Sequence, residues 1–212
     1  MKRYFYFLII SVLAIIMVSC QSKEEKAAEL IKKELAKTLY DFDSYQPIET
    51  IVTEAKMTMY NDTTCWNKAI EIAYTMKTVS KYIEESNEAK ERMDIWQPSY
   101  YSSTYSINQY HKYKEEYEEK MTEAQVEFSY IKDVAADLKK MITKLDTSKV
   151  IGWNVKHSFR CKTKGGYSDI CEYRYVIDKD FKTILLREDT GGEDSGTIHD
   201  VLKSVVTGAF DE

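Results

Sequence analysis

Tyr110, Tyr117, Ala124, Ile131, Leu138 and Leu145 recur at every seventh position, and Met121, Phe128, Ala135 and Ile142 fill the alternate positions of the same series. Two interleaved seven-residue series describe a helix that packs lengthwise on a partner. A helix over residues 106–145 would extend roughly 60 Å at 1.5 Å per residue, longer than a compact domain of this mass needs. The preceding segment, residues 64–93, offers Trp66, Ala69, Ala73, Met76 and Ile83 as a facing stripe. Residues 95–105, with Pro98 among them, break the helix between the two. An antiparallel helical hairpin inserted at about residues 64–146 is therefore expected. A second copy of the chain is the competing partner, which makes oligomerisation through the hairpin the alternative.

Glycine divides the rest. All seven glycines lie beyond residue 151, and the part before them is rich in Glu, Lys, Ala and Met, which favour helix. A first helix is expected over residues 23–40, with Ala27, Leu30, Ile31 and Leu35 at helical spacing. Residues 48–59 read as a strand through the alternation of Ile51, Thr53, Ala55, Met57 and Met59, although Glu54 to Met57 also suits a helix. From Val150 the period becomes two: Trp153, Val155, His157, Phe159 and Cys161 alternate with polar residues, as do Cys171, Tyr173, Tyr175 and Ile177. A loop at Gly165-Gly166-Tyr167 would set Cys161 opposite Cys171, Phe159 opposite Tyr173 and Val155 opposite Ile177. A third strand is expected over residues 181–188 and a short helix over 197–207, with Ile198, Val201, Leu202 and Val205 as its apolar stripe. Helices first and a three- to four-stranded antiparallel sheet later make an α+β fold rather than alternating βαβ units.

The first nineteen residues have a different character. Lys2 and Arg3 precede an apolar run of about fifteen residues, shorter than the ~20 a transmembrane helix needs, and a small residue follows at Ser19. This is the layout of a secretory signal peptide over residues 1–19, with an uncleaved N-terminal anchor as the alternative, leaving 20–212 as one α+β domain that carries the helical insertion. Met17-Val18-Ser19-Cys20 resembles a bacterial lipobox, with Met17 where Leu is usual. The resemblance implies cleavage before Cys20 and acylation of that residue, hence a membrane anchor, since several acyl chains bind far more firmly than one. Gln21-Ser22-Lys23-Glu24-Glu25 resembles the charged tag behind the acylated cysteine of surface lipoproteins in Bacteroidota-type bacteria. That implies an outer-membrane location, with surface display favoured over a periplasm-facing one. The same residues spell a helix-capping box, Ser22 with Glu25. Residues 39–50 are similar to a segment of lipoproteins from those bacteria that carries no assigned activity. The order of helix, strand, helical insertion and meander resembles the cystatin and nuclear-transport-factor-like architectures in topology alone, and topology transfers no function.

Charge and motifs narrow the chemistry. The chain has 30 basic and 35 acidic residues, a net −5; without Lys2 and Arg3 the balance is 28 − 35 = −7. A negative surface repels phosphate backbones, so no nucleic-acid partner is expected. His111, His157 and His199 fall in no metal spacing and the cysteines form no C-x-x-C pair, so neither metal nor cofactor is expected. His111 and Glu115 share a helix face but read as solvated. Cys65 reads as a small core residue. The expected register makes Cys161 and Cys171 the pair best placed for a disulfide, worth about 2.5–3 kcal/mol for a loop of about ten residues; buried free thiols are the alternative. Thr63, in Asp62-Thr63-Thr64, resembles the acceptor of Bacteroidota O-glycosylation, and N-capping of the helix by Thr63 or Thr64 explains the same residues.

Aromatics are the remaining signal. Trp96, Tyr100, Tyr101 and Tyr105 cluster in the loop between the two long helices. Such rings suit capture of a glycan or a protein, because they offer large contact area at low entropy cost; the favoured alternative has them folding back to plug the hairpin end. A non-catalytic envelope lipoprotein that binds a ligand or protein through the hairpin tip or the open sheet face is the leading expectation. A hydrolase with a dispersed carboxylate site and a structural or assembly accessory of the outer membrane are the alternatives.

Overall fold

A computed structural model describes residues 21–191 and 193–210, the side chains of 193–195 excepted. The signal segment and Cys20 lie outside the described residues. The fold is α+β. The chain divides into two compact units, Met1–Met57 with Ser148–Ser195, and Thr58–Thr147 with Gly196–Glu212.

The first unit begins with helix α1, Lys23–Thr38. Ser22 caps it reciprocally: Glu25 N donates to Ser22 Oγ at 3.1 Å and Ser22 N to Glu25 Oε2 at 3.0 Å. The helix stops two residues short of the expected end because Leu39 turns extended and Asp41 caps a single 3₁₀ turn at Phe42–Ser44. Four antiparallel strands follow one another across a meander: β1 (Gln46–Lys56), β2 (Val150–Lys162), β3 (Ser168–Asp178) and β4 (Ile184–Asp189). Residues 46–56 are thus strand, with Pro47 tolerated because β1 is an edge.

Two expectations about the sheet are corrected. The β2–β3 register is displaced by two residues: Phe159 faces Cys171, Val155 faces Tyr175 and Trp153 faces Ile177, while Cys161 lies opposite Asp169. The turn is centred on Gly165 rather than Gly166. Gly166 N donates to Thr163 O at 2.9 Å, Thr163 N to Tyr167 O at 2.8 Å, and Gly166 takes the left-handed conformation (φ 81°). A slip of two keeps each side chain on its face, so the inward set is unchanged. On β1, Thr50 and Val52 lie opposite His157 and Val155 and share their face, whereas Ile51 is turned outward. A bulge between Pro47 and Glu49 sets this phase.

Ala27, Ile31 and Leu35 of α1 pack with Val155, Phe159, Cys161, Tyr173, Tyr175 and Ile177 as the core of this unit. Gly152 is needed where β2 meets β3, because an added Cβ would drive into the Ile177 carbonyl oxygen.

The second unit is the helical hairpin, α2 (Thr63–Ile95) and α3 (Thr104–Thr143), with most of α4 (Glu193–Thr207). Asp62, not Thr63 or Thr64, caps α2, accepting from Cys65 N at 2.8 Å. The antiparallel pairing is marked by Ser86 Oγ donating to Met121 Sδ at 3.4 Å, by Lys120 Nζ 3.4 Å from Glu85, and by the Tyr130 hydroxyl on Glu71. Small buried residues, Ala69, Ala73, Ser86, Ala89, Ala124 and Ala135, line the seam. The strict seven-residue series does not hold throughout: Phe128 is 44% exposed while Val134, outside the series, is buried. A helix of 3.6 residues per turn drifts ~20° per heptad, which brings Val134 onto the seam; Phe128 lies between Met121 and Ala135 in the same series and has no such account. In α4, Ile198, Val201, Leu202 and Val205 are buried, and His199 stacks on Tyr60 (4.8 Å) and meets Trp66 edge-on (5.4 Å).

Candidate functional site: the hairpin tip

The long helices end on polar chemistry that leaves Tyr100, Tyr101 and Tyr105 uncovered. Trp96 is the C-cap of α2, its N–H donating to Met93 O at 3.1 Å. Ser99 and Ser102 close a turn, Ser102 N to Ser99 O at 3.0 Å and Ser99 N to Ser102 Oγ at 2.7 Å. Ser103 then caps α3 by accepting from Ser106 N at 3.2 Å. Every backbone constraint here comes from serine and main chain, so the aromatic side chains have no structural hydrogen bond to make.

Tyr100, Tyr101 and Tyr105 do not plug the hairpin, whereas Trp96 is partly folded in. Tyr100 and Tyr101 are 95% and 91% exposed and meet edge-to-face at 5.2 Å and 86°. Trp96 is half-buried and Tyr105 63% exposed, and they too meet edge-to-face, at 5.7 Å. For the three tyrosines the folded-back reading is corrected for a simple reason: there is no core there to fold into. The first twenty residues of α3 bury no side chain fully; its first buried position is Ala124. Two orthogonal ring pairs give a projecting apolar surface that can stack on a sugar face or fill a pocket on another protein.

The other sequence candidates are dispersed. Cys161 and Cys171 are free thiols whose sulfurs lie 3.8 Å apart on diagonal positions of β2 and β3. Burial, helped by the contact with Cys161, pushes the Cys171 thiol up to about 12. Cys65 is fully buried, and burial, with Asp62 beside it, pushes its thiol up to about 12 as well, the opposite of an activated nucleophile. Thr63 is exposed in the first turn of α2. His111 is exposed and meets Tyr110 edge-on at 5.6 Å. Among the described residues, no group of three or more His, Cys, Asp and Glu side chains is arranged to hold a metal, and no helix is long and apolar enough to cross a membrane.

Two constellations escaped the sequence reading. His157, one member of the alternating face of β2, is fully buried between two hydroxyls: Tyr45 OH lies 2.9 Å from Nε2 and Thr50 Oγ1 2.9 Å from Nδ1. Trp153 and Phe181 stack at 5.6 Å and 12° with Lys23 Nζ 3.8 Å from the indole centre. Both join residues far apart in sequence, and only the alternation of β2 hinted that their partners share a face. The chain matches no protein-family profile, no curated protein and no solved structure, so its function has to be argued from these residues.

Proposed function

We propose that the chain is a non-catalytic envelope lipoprotein, held at the outer membrane through acyl chains on Cys20, that captures a glycan or protein ligand through Trp96, Tyr100, Tyr101 and Tyr105. The observation that carries the reading is the near-complete exposure of Tyr100 and Tyr101. Large rings grouped in water at one loop mark a contact surface rather than a structural element, and rings of this kind dominate interface energetics. The lipobox resemblance and the charged residues after Cys20 support the location. Glu29 and Glu172, both exposed or half-buried, are held low by Lys33 and Lys156, the opposite of the raised carboxyl that a general acid needs.

The test pairs an oligosaccharide array with cross-linking on intact cells, using the acylated chain and its Y100A/Y101A variant. Loss of capture at unchanged melting supports the tip; undiminished capture removes it. Exposed Tyr74 (62%), Val126 (63%) and Phe128 (44%) on the hairpin favour a second reading, self-association as an assembly accessory. Sizing and cross-linking of the purified chain would separate the two.

A further inference from the structure

The described residues of the first unit begin directly after residue 20 in sequence. The capping box closes at Ser22, and α1 is clamped to the sheet by Ala27, Ile31 and Leu35, all fully buried. Only Gln21 separates Cys20 from the cap, so residue 20 lies within about 7 Å of Ser22 at ~3.5 Å per residue. An acylated Cys20 would therefore bring this end of the unit to the bilayer surface with it.

The residues gathered at that end suit the position. Trp153, near the start of β2, stacks flat on Phe181 of the β3–β4 turn, and its Nε1 donates to Lys179 O at 3.2 Å. Phe181 has φ 57°, the only positive value for a non-glycine among the described residues. An aromatic residue held there costs on the order of 1–3 kcal/mol and persists only where its surroundings enforce it. Asp178 does so, accepting from Phe181 N at 3.2 Å through its carbonyl and from Lys182 N at 2.7 Å through its carboxylate. The strain delivers the ring to Trp153. Both rings are half-buried, and Gln21, Lys26 and Leu30 border a hollow of about 240 Å³ beside Asp180 and Phe181. Lys23, Lys179 and Lys182 are exposed around them. Half-buried indole and phenyl rings at the rim of a core, with Lys23 Nζ 3.8 Å from the indole centre and long lysine stems around them, are the chemistry of a membrane–water interface.

We propose that the first turn of α1, Trp153 and the β3–β4 turn seat in the headgroup region of the bilayer that anchors Cys20. The inference rests on the lipoprotein reading. Glu24, Glu25, Asp178 and Asp180 offset Lys23, Lys26, Lys179 and Lys182, so the rings rather than net charge make the contact, and zwitterionic lipid suffices.

The test uses the acylated full-length chain in phosphatidylcholine–phosphatidylethanolamine vesicles carrying a lipid spin-labelled near its headgroup. In a W66F/W96F background, emission from Trp153 should shift to the blue and be largely quenched. Hydrogen exchange of the wild-type chain should slow at residues 178–183 on vesicle binding and stay unchanged at 163–167, the opposite end of the sheet. This second measurement needs no substitution, so it decides the outcome if the double variant fails to fold. An acylated, vesicle-bound chain with neither quenching nor slowed exchange overturns the seating and leaves the anchor intact. A chain whose residue 20 carries no acyl mass and that does not float with vesicles overturns the lipoprotein reading, and the seating with it.

Discussion

His157 should make the sheet unit acid-sensitive. Its imidazole is fully buried against Tyr45, Thr50 and Phe159, and burial lowers its pKa from 6.5 to about 4. In the unfolded chain it takes up a proton near 6.5, and in the folded chain only near 4. Between those values the unfolded state binds more protons, so protonation draws the equilibrium toward unfolding. The stabilisation is fully present above pH 6.5 and is lost as pH falls through about 4. Linkage between the two pKa values gives a loss of about 2 kcal/mol at pH 5 and about 3 kcal/mol at pH 4. That is a large part of the 5–15 kcal/mol typical of a domain. Glu29 and Glu172, whose pKa values are lowered from 4.5 by Lys33 and Lys156, act at more acid pH, and comparison with a His157 variant between pH 7 and 5 isolates the histidine.

The assay is urea unfolding at stepped pH, following Trp153 emission in a W66F/W96F background because that residue belongs to the same unit. His157→Gln keeps a donor and an acceptor near the two hydroxyls and removes the titration. It should lower stability at pH 7 by ~1–3 kcal/mol through imperfect hydrogen bonding and flatten the slope between pH 7 and 5. An unchanged slope in H157Q would refute the assignment of acid sensitivity to this residue.

Three further outcomes are expected. Gly152→Ala forces β2 away from the Ile177 carbonyl and should cost ~1–3 kcal/mol, read as a lower urea midpoint at constant m-value; an unshifted midpoint would show that the strands give way freely. Y100A/Y101A should change stability by no more than about 0.5 kcal/mol, since neither ring is buried, and thermal melting will show whether that holds. Mild oxidation should join Cys161 to Cys171, closing their sulfurs from 3.8 Å to about 2.05 Å. The product should lose the mass of two hydrogens and melt higher, by about 2.5–3 kcal/mol of added stability in the chain-entropy model; equal melting of both forms would mean that strain cancels the gain.

The features legible in the sequence were those with local causes. Ser22 and Glu25 announce the start of α1, Pro98 marks the break between the long helices, and the odd-numbered residues from Trp153 to Cys161 declare the inward face of β2. The misread features depended on where a turn centres or how a helix drifts. Moving the hairpin centre by one residue, to Gly165, displaces every cross-strand pair by two while leaving the faces intact. The core residues therefore follow from alternation alone, whereas the Cys161–Cys171 opposition depends on the turn centre. The tip was legible as a cluster, but its exposure followed from the thinning of the α2–α3 core, which no local pattern encodes.

The edge strand shows how polar atoms in a core can set structure as well as titrate. β1 is mostly exposed along its length, and among its residues in the sheet core only Val52 offers a sizeable apolar side chain. Such a strand is poorly held against slippage, because a shifted register would cost it little buried area. Thr50 opposes His157 and bonds it at 2.9 Å, and Tyr45, just before the strand, holds the other ring nitrogen at 2.9 Å. Any slip breaks both bonds and leaves a buried imidazole unpaired, at ~1–3 kcal/mol for each lost partner. The neutral histidine is thus a register pin for β1. The Thr50→Val variant should therefore loosen this strand first, visible as faster hydrogen exchange along residues 46–56 before any change in β3. Equal acceleration in both strands would mean that the pin holds the whole sheet rather than its edge.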